Sequence, residues 1–495
     1  MGTSEHTAGT GGTAGTAGTA GTAGTARTYL SQNDAIMWTV ESDPLLRSTI
    51  VGVVTLEGTP DWDRLVARVD HVTRMVPELR QRVVPVPLHP TTWRWEPDPE
   101  FDLSAHLRRV AAPLPATMRE VLDIARDSAQ HGFDRTRPLW EFILVEGLAD
   151  GTAALVMKAH HVVTDGIGAV QLAIHLFDLE PDGTRPQRPQ RPTVPGDHDA
   201  APDDHGDLGG TVRGLLGEAR EVIAHDLDGA VHLVRAALPS IVPNLLRFVR
   251  DPLHTVVETV RTAQSIGRTV APVTHTLSPV MVDRHRHTQF ETIEIPLDDL
   301  RGAAGAARGT LNDGFLAGIT GGLRRYHEAN GAEVEDLRVA MPVSLRTSAD
   351  DAGGNHVTVM RFTVPVGVRD AEERIRRLHD IGRRIRQERS LAHTEAIAGF
   401  LNLMPNGVIG SMLKHIDFLA SNVPGVPVPL YLEGVRVRRY VPFGPTAGSA
   451  FNITLMTYDG MCCIGVNIDT AAVTDVALFV RCLREGFQEV LSLAE

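Results

Sequence analysis

The sequence predicts a large mixed α/β protein with more than one domain, and three observations support this. The chain has 495 residues, and domains usually hold about 100–200, so two or three are expected. Hydrophobic residues make up 42% of the chain and charged residues only 22%, which is enough apolar surface for a large core. Strand-like and helix-like patterns alternate from about Tyr29 onwards.

Composition and charge exclude several classes of function. The formal net charge is −13, from 48 Lys+Arg against 61 Asp+Glu. Binding to nucleic acid is therefore not expected, because neutralising phosphates requires clustered cations. The chain has three cysteines, Cys462, Cys463 and Cys482, and so small and odd a number does not indicate a disulfide framework. They favour a reduced, intracellular setting.

Two segments, the N-terminus and one apolar stretch, differ in composition from the rest of the chain. Residues 1–27 are dominated by Ala, Gly and Thr and lack the basic and apolar regions of a signal peptide, so a disordered tail is predicted. The stretch nearest to a membrane span is Ala396 to Leu413, but Asn402, Pro405 and Gly407 interrupt it. Short helices that are buried or lie at an interface are expected there instead.

Residues 28–180 are predicted to form a first α/β half. Thr49 to Leu56 is rich in β-branched residues and predicts a strand. Trp62 to Met75 and Thr117 to Gln130 have apolar residues near helical spacing. Glu141 to Val145 and Ala153 to Ala159 predict two further strands.

Residues 181–290 are predicted to be a linker, first proline-rich and then helical. Pro181 to Gly210 holds six prolines and almost no large apolar residues, which indicates a surface crossover. Residues 211 to about 285 are helical in pattern. Within them, Val231 to Val249 is apolar with arginines at its edges. That segment is either a helix packed on its neighbours or an amphipathic helix on a lipid surface.

Residues 291–495 are predicted to form a second α/β half of similar character, although no sequence repeat relates it to the first. The predicted helices are Leu311 to Tyr326, Ala371 to Arg389 and Val476 to Leu493, and the predicted strands are Leu337 to Val343, Val357 to Val366, Phe451 to Thr457 and Met461 to Asp469. Asp459-Gly460 between the last two strands predicts a hairpin turn.

The clearest chemical motif is His160-His161-Val162-Val163-Thr164-Asp165-Gly166. It follows an apolar strand and precedes an amphipathic helix, so it is expected on a strand-to-helix turn, where a side chain can project into a cleft. The spacing from His161 to Asp165 lets the carboxylate return towards the imidazole, and Gly166 keeps the turn uncrowded. A neutral imidazole with a pKa near 6.5 can accept a proton from a hydroxyl group.

The motif also has other interpretations. A His-x-x-x-Asp pair is often structural. Metal binding is not predicted, because no Cys or third His lies at ligand spacing and no His-Glu-x-x-His is present. The chain also lacks a Gly-x-Ser-x-Gly nucleophile elbow and a Gly-x-x-x-x-Gly-Lys-Ser/Thr phosphate loop, which argues against α/β-hydrolases and nucleotide hydrolases.

The motif resembles the active-site string of the coenzyme-A-dependent acyltransferase superfamily, and the chain resembles the bacterial wax ester synthase/diacylglycerol acyltransferase family. Further segments occur in that family's order: Leu30-Ser31-Gln32-Asn33-Asp34, Pro138-Leu139-Trp140, Asn312-Asp313, Gly354-Asn355-His356 and Ser421-Asn422-Val423-Pro424-Gly425. Two departures occur: Gln32-Asn33 stands where the family usually has Pro-Leu, and Val426 where it has Pro.

This resemblance implies a fold and a reaction. The fold would be two chloramphenicol-acetyltransferase-like halves, each a mixed sheet with helices, joined by a helical crossover with an active-site tunnel between them. The reaction would move a long-chain acyl group from acyl-CoA to diacylglycerol or a fatty alcohol and form triacylglycerol or wax ester. Acyl-CoA is then a substrate, and no cofactor or metal is expected.

The resemblance also implies roles for single residues. His161 would be the general base, with His160 shaping the turn, Asp165 orienting the imidazole and Gly166 completing the motif. Asn312 and Asp313 would either cap their helix or take part in catalysis. The remaining candidates are structural or substrate-binding: Pro138, Trp140, Ser421, Asn422, Pro424 and Gly425. Trp140 would be a core anchor rather than a ligand contact, and Asn422 and Pro424 would shape a loop crossing between the halves.

Two other functions are alternatives to acyl transfer from acyl-CoA. A peptide-synthetase condensation domain shares the motif, although no carrier domain fits within this length. A non-catalytic lipid-binding protein is the third hypothesis. For the acyltransferase, the expected partners are acyl-CoA and the acceptor lipid, in the cytoplasm or on the surface of the inner membrane or of lipid inclusions.

Overall fold

The computed structural model describes residues 29–86, 89–163, 167–182, 275–344, 357–386, 415–423 and 425–494. Several sequence predictions lie outside these residues. They include the N-terminal tail, almost all of the proline-rich and helical linker with its Val231 to Val249 segment, and the apolar stretch from Ala396 to Leu413. No helix in the described ranges combines the length and the apolar character needed to cross a membrane.

The described strands form two six-stranded sheets and one separate hairpin. The first sheet has the order β11-β12-β1-β6-β5-β4, the second has the order β7-β14-β13-β10-β8-β9, and β2 pairs with β3. The strands are β1 Thr49–Leu56, β2 Gln81–Val86, β3 His89–Pro97, β4 Leu107–Ala111, β5 Trp140–Glu146, β6 Ala153–His160, β7 Thr288–Pro296, β8 Asp336–Ser344, β9 Val357–Pro365, β10 Phe418–Val423, β11 Tyr431–Leu432, β12 Val435–Phe443, β13 Phe451–Tyr458 and β14 Met461–Asp469.

Helices cover these sheets, and several begin at caps visible in the sequence. The α-helices of the described ranges are α1 Gln32–Val40, α2 Trp62–Met75, α3 Met118–Gln130, α4 Ile167–Leu176, α5 Leu297–Ala306, α6 Leu311–Ala329, α7 Ala371–Arg386 and α8 Val476–Leu491. The N-cap of α3 is Thr117, which forms a capping box with Glu120. Such a box satisfies backbone N–H groups that would otherwise lack partners in the first turn.

The two halves share a four-strand core. In the first sheet, β1 pairs with β6 and β6 with β5 in antiparallel fashion, and β5 pairs with β4 in parallel. In the second sheet, β7, β14, β13 and β10 follow the same sequence of pairings. In both halves a helix follows the last of these four strands in chain order, α4 after β6 and α8 after β14. The structure therefore reveals a duplication that the sequence does not display, and the prediction of two α/β halves is confirmed.

A hairpin from the second half completes the first sheet, which the sequence does not predict. Strand β12 runs antiparallel to β1, with Val51 opposite Phe443. The turn between β11 and β12 carries Glu433, whose side chain is only 1% exposed and accepts hydrogen bonds from Arg68 and Arg64 of α2. Buried charges are costly unless paired. The ionic contact to α2 therefore satisfies the Glu433 carboxylate and fixes the hairpin onto the first half.

Aromatic and ionic contacts also join the sheets directly. The rings of Phe290 on β7 and Phe443 on β12 are stacked with centroids 4.3 Å apart. Arg119 of α3 donates to Glu291 of β7 over 2.8 Å. Aromatic stacking adds to the area buried between two surfaces. The duplicated halves are therefore packed against each other along β7 and β12.

Three sequence interpretations are wrong in detail. The helical pattern does not extend to residues 275–287, which form bends and irregular backbone. The Asp417 carboxylate accepts the N–H groups of Leu277 and Ser278 within this segment. Strand β7 starts at Thr288, before the predicted boundary of the second half. Asn422 lies in strand β10 and not in a loop, since it pairs with Leu455 of β13.

Candidate active site

The His160-His161 pair lies on the predicted strand-to-helix turn. His160 is the last residue of β6, His161 opens a short 3₁₀ turn that ends at Val163, and α4 begins at Ile167. Residues 164–166 lie outside the described ranges. The roles assigned to Asp165 and Gly166 therefore stay predictions.

Backbone hydrogen bonds fix both histidines to neighbouring strands. The N–H of His160 donates to the carbonyl of Leu139 over 2.9 Å, just before β5. The N–H of His161 donates to the carbonyl of Ser48 over 2.9 Å, just before β1. A catalytic group held by rigid elements keeps its geometry without a further entropy cost. The turn is therefore suited to carry a reactive side chain.

The two imidazole rings have different surroundings. The ring of His160 is fully buried, its Nδ1 accepts the N–H of Val162 over 3.2 Å, and its Nε2 lies 3.1 Å from a carboxylate oxygen of Glu41. Both ring nitrogens are thus engaged in the interior. His161 is half-buried, so it is the better placed of the two to meet a substrate.

The Pro138-Leu139-Trp140 segment supports this turn from the core. All three residues are buried. The indole Nε1 of Trp140 donates to the carbonyl of Leu79 over 2.8 Å, and its ring is stacked on His106 with centroids 4.8 Å apart. Because Leu139 also accepts the His160 N–H, the segment links the hydrophobic core to the backbone of the motif.

Sequence inspection missed Lys158, one of the two lysines in the chain. Its side chain is 3% exposed and lies 3.5 Å from Glu141, with the ammonium group 4.4 Å from the ring centre of Phe133. Burial lowers the pKa of Lys158 more than the Glu141 carboxylate raises it. On a strand, side chains two residues apart share a face, so Lys158 and His160 point to the same side of β6. The sequence gives no local sign that this lysine, within an otherwise apolar strand, is buried.

Asp313 takes part in the capping of α6. Its carboxylate accepts the backbone N–H of Thr310 over 2.8 Å and completes a capping box. The same oxygen lies 2.8 Å from Nδ1 of His379 on α7. Asn312 is half-buried, with its amide nitrogen 4.0 Å from the sulfur of Met341 on β8. The capping interpretation therefore fits Asp313 and not Asn312.

The second-half candidates gather at one edge of their sheet. Strands β8, β10 and β13 are parallel, with Leu419 opposite Ala340 and Ser421 opposite Thr454. Met341, which contacts Asn312, lies past the middle of β8, and Ser421-Asn422 lie near the carboxyl end of the adjacent strand β10. Pro424 and Gly354-Asn355-His356 fall outside the described residues. This edge and the His160-His161 turn belong to different sheets, so a shared tunnel stays a prediction.

Gly425 makes a close approach that only glycine permits. A Cβ atom built at this position would lie 1.6 Å from the carbonyl oxygen of Thr457, at the end of β13. Because this neighbour is backbone, it cannot move aside as a flexible side chain would. The glycine of the Ser-Asn-Val-Pro-Gly segment therefore lets the chain pass β13 closely.

We expect Gly425→Ala to lower the free energy of unfolding by about 3 kcal/mol, as for overpacking in a core. Chemical denaturation of the two proteins measures this difference. The matched control is Gly302→Ala in α5, where an added Cβ meets nothing within 4 Å. That change should be neutral or stabilising, since alanine favours helices. Equal unfolding midpoints for both variants would contradict the steric argument.

The duplicated α/β fold and the anchored histidine turn together define a class of protein. The fold is the one that the resemblance to the coenzyme-A-dependent acyltransferase superfamily implies.

Comparison with known proteins agrees with this class and specifies the family. The profile of the wax ester synthase/diacylglycerol acyltransferase catalytic domain matches residues 30–315, and that of the WS/DGAT C-terminal domain matches residues 353–490. The chain therefore belongs to the WS/DGAT family of acyltransferases. It is 39% identical over 470 residues to a Mycobacterium tuberculosis H37Rv protein named "Putative diacyglycerol O-acyltransferase", covering 93% of this chain and 91% of the relative.

Two solved structures share the fold. The wax ester synthase/diacylglycerol acyltransferase from Marinobacter aquaeolei VT8 matches with a TM-score of 0.59 and 21% identity, over 94% of this chain and 100% of that chain. A starter condensation domain of rhizomide synthetase, solved with C8-CoA and Leu-SNAC, matches with a TM-score of 0.54 and 14% identity, over 94% of each chain.

Proposed function

We propose that the protein transfers a long-chain acyl group from acyl-CoA to the hydroxyl group of diacylglycerol or a fatty alcohol, with His161 as the general base. The products would be triacylglycerol or wax ester. The observation that carries this proposal is the anchored turn at the end of β6. It presents a half-buried His161 while His160 is engaged in the interior.

In the proposed reaction, the acyl group moves directly between the two substrates. The imidazole of His161 accepts the proton of the acceptor hydroxyl group as the oxygen attacks the thioester carbonyl carbon. A new C–O bond forms, and the carbonyl π electrons move to oxygen. When the tetrahedral intermediate collapses, the C–S bond breaks and the CoA thiolate takes the proton back from His161.

The remaining candidate residues would support this chemistry. Asp165 would orient the imidazole from the same loop. Asp313 stabilises the start of α6 and thereby places Asn312 at the edge of the second sheet. Contact of Asn312, Ser421 or Asn422 with substrate is part of the proposal.

Comparison with other proteins supports the choice of substrates. The rhizomide synthetase domain of the same fold was solved with a coenzyme A thioester, which supports acyl-CoA as the donor. The names of the family and of the M. tuberculosis relative support a diacylglycerol or a wax-forming alcohol as the acceptor. Because these acceptors are lipids, we also propose that the protein acts at a lipid surface, which flotation with anionic vesicles would test.

Purified protein incubated with palmitoyl-CoA and either dioleoylglycerol or hexadecanol tests the reaction. We expect release of CoA together with an equal amount of triacylglycerol or wax ester, and the better acceptor identifies the activity. CoA release with an amine acceptor instead would indicate a condensation-type enzyme. Binding of lipid without any product would indicate a non-catalytic lipid-binding protein.

A further inference from the structure

Glu41 lies outside every motif of the sequence, yet it contacts the first histidine of the pair. It is the C-cap residue of α1, and its side chain is 8% exposed. One carboxylate oxygen lies 3.1 Å from Nε2 of His160 and 3.0 Å from a guanidinium nitrogen of Arg135. A buried carboxylate requires partners of this kind.

The hydrogen bonds of His160 define the position of its ring proton. Nδ1 accepts the backbone N–H of Val162, and only an unprotonated ring nitrogen can accept. The proton must therefore be on Nε2, where it is donated to Glu41. The carboxylate of Glu41 thus selects the tautomer whose Nδ1 can hold the backbone of the turn.

The surroundings of this bond make it strong and keep Glu41 charged. Trp38 and Phe133 meet the His160 ring edge to face, with centroids 5.6 Å and 6.1 Å away. Polar interactions strengthen in such an apolar, buried setting. Burial tends to raise the pKa of Glu41, but the hydrogen bond from His160 and the charge of the Arg135 guanidinium group outweigh it and lower the pKa.

We propose that Glu41 is a positioning residue for acyl transfer that acts through His160 on the turn carrying His161. The connection runs from the Glu41 carboxylate to the His160 ring and on to the N–H of Val162, the residue that follows His161. On the other side, Ser48 holds the N–H of His161 itself. The inference rests on the proposed function, because it assigns His161 as the base.

Glu41→Gln tests the proposal, since glutamine keeps the size and one acceptor oxygen but removes the charge. We expect kcat for acyl transfer to fall about 10- to 100-fold, because a small displacement of a catalytic group has effects of this size. The KM for acyl-CoA should change by less than about twofold, since the Glu41 side chain is buried against His160 and Arg135. An unchanged kcat would overturn the proposal.

A double-mutant cycle with His160→Asn tests the route. If Glu41 acts through the His160 ring, adding Glu41→Gln to His160→Asn should lower kcat by no more than about twofold. If the loss of kcat in the double variant equals the product of the losses in the two single variants, Glu41 acts independently of His160, and the proposal is overturned.

The tautomer can be measured without substrate. In protein labelled with ¹⁵N-histidine, the His160 signals, assigned by their loss in His160→Asn, should show an unprotonated Nδ1 and a protonated Nε2. Glu41→Gln should weaken this preference, whereas an identical spectrum would overturn the proposal. A wild-type protein without acyl transfer would refute the proposed function, while this measurement would still test the Glu41–His160 link.

Two variants serve as controls. Arg135→Gln removes the other partner of Glu41; a loss of kcat equal to that of Glu41→Gln, with an unchanged tautomer, would overturn the proposal in favour of Arg135. Asp298→Asn removes a carboxylate from an exposed pair with Arg301 and should leave kcat unchanged. If Glu41→Gln fails to fold, Glu41→Asp replaces it as the test variant. Because this substitution preserves the charge, we expect a smaller loss of kcat and an unchanged tautomer of His160.

Discussion

Replacing His161 by alanine is expected to lower kcat for acyl transfer by about 100- to 10,000-fold, the usual contribution of a positioned general base. The KM for acyl-CoA should change little, because the imidazole acts on the acceptor hydroxyl group. Steady-state rates of CoA release measure both parameters.

The matched control is His287→Ala, which removes an exposed histidine from the segment just before β7. This variant should retain the wild-type rate. A His161→Ala protein that stays folded and keeps a rate within about threefold of the wild type would show that another group accepts the proton.

Replacing Glu489 by alanine is expected to lower the free energy of unfolding by about 3–5 kcal/mol, the cost of leaving a buried charge without its partner. The guanidinium group of Arg374 is fully buried between α6, α7 and α8, and it donates to Glu489 over 2.9 Å. Arg324 donates to the same carboxylate over 2.8 Å. Urea unfolding of both proteins measures the difference.

The matched control is Glu485→Ala, one turn earlier on α8. Glu485 has a side chain 43% exposed, and its contact with Arg325 spans 3.6 Å. Exposed ion pairs contribute about 0–1 kcal/mol, so this variant should unfold close to the wild type. An equal effect of both substitutions would contradict the assignment of Glu489 as the partner of a buried arginine.

Local signals in the sequence predicted much of the fold. Thr117 and Glu120 have the spacing of a capping box, and α3 begins where they place it. Asp459-Gly460 is a turn sequence, and both residues have positive φ angles, 45° and 76°. The position of the histidine pair between a strand and a helix was also predictable, since a short apolar run precedes it and apolar residues at helical spacing follow it.

Contacts between distant segments were not predictable. Strand β10 holds Ser421 and Asn422, but its polar residues resemble a loop unless the pairing with β13 is known. Glu433 gives no local sign that its carboxylate is buried against α2. Residues that are paired across a fold depend on tertiary packing, which a single sequence without alignment does not encode in any local pattern.

For the same reason, the sequence revealed only some of the residues that support the candidate active site. The family motif identified His160 and His161, but Glu41 is 119 positions away from His160 in sequence. The structure adds this carboxylate, with Arg135 and Trp38 beside it, to the residues that determine the geometry of the turn.

The most direct test of the account follows CoA release and ester formation together, in wild type and His161→Ala, with palmitoyl-CoA in the presence and absence of an acceptor lipid. Direct acyl transfer with His161 as the base predicts that the wild type releases CoA only when the acceptor is present, in equal amount to the ester. The variant should form almost none of either product. Ester formation at the wild-type rate by His161→Ala, or CoA release by the wild type without acceptor, would contradict the account.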